Sequence, residues 1–117
     1  MQPLPFEPTL PALGRFQIYR KALECARRVI ALPIHGELRD QLRRAAFSVA
    51  LTAAEGAGER TAAAKARYFA ISRASAWEVA AALDLAAIQL GERADVAVIA
   101  GLLREIDAML AALLRRA

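Results

Sequence analysis

Few residues in this chain can do covalent or acid–base chemistry, and their spacing works against it. The one histidine, His35, stands between Pro33 and Gly36, and the one cysteine, Cys25, lies inside an amphipathic run. A cysteine–histidine nucleophile needs both side chains within hydrogen-bond reach and a third group to orient the base. No such group is evident here, and Cys25 reads as a small core residue. A di-metal centre in a helical bundle takes a glutamate from each of two helices and a Glu-x-x-His pair from each of the others, which one histidine cannot supply. Glu55, Glu78 and Asp84 are the acids nearest apolar surface; a carboxylate pair can serve as acid and base, but acids on helical bundles usually answer arginines. The run "EGAGER" at 55–60 follows a helix and lacks the Lys-Ser/Thr of a phosphate loop. The expectation is a protein that is not an enzyme and that uses no metal or cofactor.

What remains is electrostatic chemistry. Arg39, Arg43 and Arg44 stand on one segment, and Arg60, Lys65 and Arg67 on the next. Two readings stay open. In the structural one, Arg44 pairs with Asp40 four residues earlier, and Glu55 or Glu78 accepts an arginine from a neighbouring helix. In the binding one, the six cations gather around one end of the molecule and contact phosphates. The first suits Arg44; the second suits Arg43, Arg60, Lys65 and Arg67. No aromatic residue interleaves the set, so stacking on bases has little support. A net charge of +4 and a pI near 10.0 favour an anionic partner without naming it.

The elements that must position these side chains are helices. With 117 residues, 57% of them hydrophobic, the chain fits one core. The mean hydropathy of +0.30 comes mostly from alanine, and charges interrupt every apolar run short of the roughly 18 to 20 residues of a membrane span. Residues 1–15 carry four prolines and no basic start followed by an apolar block, which reads as an extended arm on a cytoplasmic protein rather than a secretory signal. A lone cysteine suits that reducing compartment.

Apolar residues recur at steps of three and four over four stretches. The first, 16–32, holds Ile18, Ala22, Cys25, Val29 and Leu32 and stops near Pro33. The second, 37–55, holds Leu38, Leu42, Ala45, Ala46, Val49 and Ala53. Gly56 is expected to close it in the left-handed conformation, and Thr61 to cap the third. That third stretch, 62–90, holds Phe69, Ala76, Ala80, Leu83, Ala87 and Leu90 and stops at Gly91. The fourth, 93–115, holds Val96, Ile99, Leu103, Ile106, Leu110 and Leu113. No alternating strand pattern occurs. Four helices with short connections predict an all-α, antiparallel up-down-up-down four-helix bundle over 16–117.

The third helix carries a second apolar stripe. Ile71, Trp77, Leu85 and Ile88 fall on an arc of roughly 120°, away from the Phe69 side. Isolated surface apolars are ordinary, but a tryptophan with three large aliphatics predicts an interface between copies.

The runs "LRDQLRRAAFSVALTAAEGAGERT" and "YFAISRASAWEVAAALDLAAIQLG" carry a family resemblance through Gln41, Leu42, Arg43, Arg44, Ala45, Ala46, Ser48, Ala54, Glu55, Gly56, Gly58, Phe69, Ser75 and Glu78. They are similar to the bacterial four-helix-bundle family encoded in 23S ribosomal RNA intervening sequences. This chain departs from the family in having Thr52 where asparagine is usual, Ala53 for a larger aliphatic, and Glu59 for an arginine, with Arg60 one place later. The resemblance implies a homo-oligomer, a pentameric ring as in the related accessory variability determinants of diversity-generating retroelements, which bind a reverse transcriptase and nucleic acid. RNA or DNA and a reverse transcriptase are therefore expected partners, with a homo-oligomeric protein-binding scaffold as the alternative.

Overall fold

The computed structural model describes residues 4–116. Five helices follow one another: α1 (Pro11–Gly14), α2 (Gln17–Ile30), α3 (Gly36–Gly58), α4 (Ala62–Leu90) and α5 (Ala94–Arg115). No strand occurs among the described residues, so the fold class is all-α. The helix beyond the four expected is α1, a single turn inside the arm. Pro11 opens it, where a missing N–H costs nothing, and Pro8 is buried against Gly14. The arm is thus not extended throughout.

Each long helix packs against two others: α2 on α3 and α5, and α4 on α3 and α5. Ile18, Ala22, Cys25, Val29, Leu42, Val49, Val79, Leu83, Ile99, Ile106 and Leu110 form the buried centre. Each large aliphatic there contributes about 1.5–3 kcal/mol by leaving water. Fully buried Ala22, Ala46, Ala53, Ala76 and Ala86 keep the backbones close. Ser72 Oγ donates to the Val49 carbonyl at 2.8 Å, and the Ser48 and Ser75 hydroxyls meet at 2.7 Å. As numbering rises on α3 it falls on α4, so these two helices run antiparallel.

The helix ends show what each local sequence does. Thr61 caps α4 by accepting from the Ala64 N–H at 3.1 Å. Gly91 ends it at φ +74°, which a side chain would resist. The expectation for Gly56 is overturned: α3 continues through Gly58, and positive φ occurs at Gly36 and Gly91 instead. Gly56 is required by close approach. A Cβ there would lie 2.5 Å from Phe69 Cε1. Phe69 is held in turn by Phe16, with ring centroids 6.0 Å apart.

Candidate nucleic-acid interface and association face

The six cations expected at one end are divided between two. Arg43 Nη2 donates to the Ile30 carbonyl at 3.2 Å, on the last turn of α2. Lys65 Nζ donates to the Gly56 and Ala57 carbonyls at 3.3 and 3.1 Å, on the last turn of α3. Cations at helix C-termini meet the negative end of the dipole and its unpaired carbonyls, so both side chains stabilise the fold. Between Arg43 and Gly58, α3 rises about 22 Å at 1.5 Å per residue, which puts Arg39, Arg43 and Arg44 toward the opposite end from Arg60, Lys65 and Arg67. Spacing along the sequence suggested proximity; the length of the helix removes it.

The expected Asp40–Arg44 pair does not form. Asp40 is taken by Arg39, at 3.2 Å from both Nε and Nη2. Glu55 and Glu78 accept no arginine among the described residues and lie exposed. Arg44, Arg60 and Arg67 are exposed, with neither hydrogen bond nor ion pair among the described residues.

On the outer side of α4, Ile71, Trp77, Leu85 and Ile88 are 40%, 62%, 53% and 80% exposed. Ala74 and Ala81 lie exposed between them, and exposed Glu78 stands on the same arc, leaving a stripe of surface along the helix that is apolar apart from that carboxylate. Trp77 is held in place at its polar edge: its indole Nε1 donates to Asp107 Oδ1 at 2.7 Å. Arg73 Nε donates to the same oxygen at 2.7 Å, with its guanidinium carbon 5.5 Å from the indole centroid. These two donors, Arg73 first, hold the Asp107 carboxyl below its ordinary range. The indole N–H is satisfied while its apolar body faces outward. Sequence reading missed Arg73 and Asp107, which are 34 residues apart. It also missed Phe47 and Leu51, 45% and 63% exposed on α3; their four-residue spacing outside the core stripe was the available signal.

Cys25 and His35 form no reactive pair. Cys25 is buried, and desolvation pushes its thiol up to about 12. His35 is the exposed N-cap residue of α3, donating and accepting nothing through its side chain there. Among the described residues no three His, Cys, Asp or Glu side chains assemble as a metal site, and no helix is long and apolar enough to cross a membrane. The buried acid is Glu24, also missed by sequence reading. It accepts from Arg27 Nε at 2.9 Å and Arg28 Nε at 2.8 Å, and these contacts, Arg27 foremost, lower its pKa.

The family described as 23S rRNA-intervening sequence protein matches residues 15–112. The chain belongs to that family. No individually curated protein matches it. The residues that carry the family likeness divide by position. Ser48, Ser75, Gly56 and Phe69 build the seam between α3 and α4. Gln41, Arg44, Glu55 and Glu78 lie exposed.

Proposed function

We propose that this member of the 23S rRNA-intervening sequence protein family is a non-enzymatic homo-oligomer, built from up-down-up-down four-helix bundles that join through the outer face of α4. The topology is supported by the pairing of every long helix with two neighbours and by the opposed registers of α3 and α4. The observation that carries self-association is Trp77, 62% exposed yet fixed in orientation by Asp107. Holding a large aromatic outward costs solvation and lowers the entropy lost on docking, a combination that suits an anchor in an interface. The absence of enzymatic activity is supported by Cys25, whose thiol is buried and fully protonated at neutral pH. A lone free thiol also fits work in the cytoplasm.

Light scattering on the wild type and on Trp77→Glu tests this reading. The wild type is expected as a multimer, five copies by the family resemblance, and the variant as smaller species with unchanged helicity. A monomeric wild type ends the proposal.

A second reading, binding of RNA or DNA as an accessory protein, is favoured by one specific observation: Arg44, Arg60 and Arg67 have no carboxylate partner among the described residues. Association with a reverse transcriptase is carried by the family resemblance alone. Fluorescence anisotropy with labelled RNA and DNA, single-stranded and duplex, from about 50 to 200 mM salt, tests this reading through its steep salt dependence. Absence of binding at the low-salt limit ends it and leaves a protein-binding scaffold.

A further inference from the structure

The ends of the long helices sort the charges of the chain. Phe16 stacks near Phe69, Lys65 reaches Gly56 and Ala57, and Leu114 shares a surface groove with Ala70 and Arg73. The start of α2, the end of α3, the start of α4 and the end of α5 therefore meet at one end of the molecule. Arg15, Arg60, Arg67, Arg115 and Arg116 are exposed there. Arg20 and Lys65 stand behind them, bonded to backbone carbonyls of Gly14 and of the last turn of α3. The acids of this end are Glu7, Glu55 and Glu59.

Elsewhere cations and acids cancel. Glu24 takes Arg27 and Arg28, Asp40 takes Arg39, Asp95 takes Arg93, Glu105 takes Lys21 and Asp107 takes Arg73. These are the ion pairs among the described residues, and none of them takes Arg15, Arg60, Arg67, Arg115 or Arg116. The net charge of +4 is the charge of one end, not of a uniformly basic surface.

We infer that this end is a phosphate-contacting surface for a nucleic-acid backbone, with Arg15, Arg60, Arg67, Arg115 and Arg116 as its contacts. The inference rests on the nucleic-acid reading above and gives it a place. Five guanidinium groups from four separate chain segments stand exposed without carboxylate partners. Each offers a planar fork that matches a phosphate through two hydrogen bonds. The molecule is 27 by 22 Å across its shorter axes, enough to cover about seven base pairs at 3.4 Å rise. Arg39 and Arg43 are outside this surface, and Arg44 lies toward the other end of α3.

The test compares two charge-matched variants of the full chain, Arg67→Gln/Arg115→Gln and Arg93→Gln/Arg104→Gln, by anisotropy on labelled RNA and DNA across about 50 to 200 mM salt. The first is expected to weaken binding to all sequences alike and to reduce the salt slope by about two; the second is expected to bind as the wild type. Circular dichroism and light scattering confirm that both remain folded and assembled. Equal weakening by the two variants overturns the placement while leaving the nucleic-acid reading intact. A wild type that does not bind at low salt overturns both. Displacement of the nucleic acid by poly-glutamate at equal charge concentration overturns the phosphate assignment in favour of an acidic protein partner.

Discussion

The ring of Phe69 occupies the space where a side chain at position 56 would begin: a Cβ on Gly56 would lie 2.5 Å from Cε1 and 2.6 Å from Cδ1. Phe69 cannot retreat freely because Phe16 packs on it. Gly56→Ala gains up to about 1 kcal/mol of helix propensity but overpacks the seam at a cost of about 1–3 kcal/mol, so a net loss of stability is expected. At Gly101, inside α5, nothing lies within 4 Å of an added Cβ. Gly101→Ala is expected to stabilise by about 0.5–1 kcal/mol. Urea denaturation of the two variants should show the same substitution with opposite sign.

Glu24 sets an acid limit on stability. Its pKa lies below the ordinary 4.5 because Arg27, and then Arg28, favour the carboxylate. A depressed folded-state pKa gives stability that is fully present above 4.5 and lost as pH falls through the lower folded value. Glu24→Gln should flatten the acid limb of the stability profile and cost about 1.5 kcal/mol at neutral pH. The loss stays at that level because both guanidinium groups reach water, with side chains 45% and 21% exposed. Denaturant midpoints measured from neutral pH down to the acid transition check this.

Cys25 gives the opposite sign. Burial raises its pKa from 9.0 to about 12, so its contribution is intact below 9.0 and is lost as pH climbs toward 12. Cys25→Ala should remove that alkaline loss, at the cost of a small cavity. In the wild type a thiol-reactive dye should label Cys25 at the rate of unfolding, and fast labelling in native buffer would contradict the buried thiol.

Arg43 and Lys65 are expected to behave as parts of the fold. Arg43→Gln and Lys65→Gln each remove a donor from a helix C-terminus and should lower stability by roughly 0.5–1 kcal/mol. Their effect on nucleic-acid affinity should be smaller than that of Arg67→Gln, since Arg67 makes no hydrogen bond or ion pair among the described residues. Paired thermal melts and anisotropy titrations distinguish the two outcomes.

Periodicity located the helices well because burial imposes it. The third stretch matches α4 residue for residue, Thr61 caps it, and Gly91 ends it. What sequence could not supply was register between elements. Arg43 and Arg60 are 17 positions apart along the chain, and only the uninterrupted run of α3 through Gly58 shows that this distance separates them in space. Gly56 looked like a turn residue because glycine serves both turns and close contacts; its partner Phe69 lies on another helix. Asp107 was invisible for the same reason, since nothing near it in sequence indicates Arg73 or Trp77. The stripe of Ile71, Trp77, Leu85 and Ile88 was legible as apolar, and all four residues are exposed in the folded chain.

The close of α5 beside the first turns of α4, where Leu114 shares a groove with Ala70 and Arg73, has a practical side. A tag fused after the last helix would start next to Arg115 and Arg116 and crowd the most basic surface of the molecule. The connection at 91–93 lies at the far end, about 40 Å away along α4, and that at 31–35 lies about 33 Å away along α3. A fluorophore or surface tether placed there would hold the protein with its charged end toward solution.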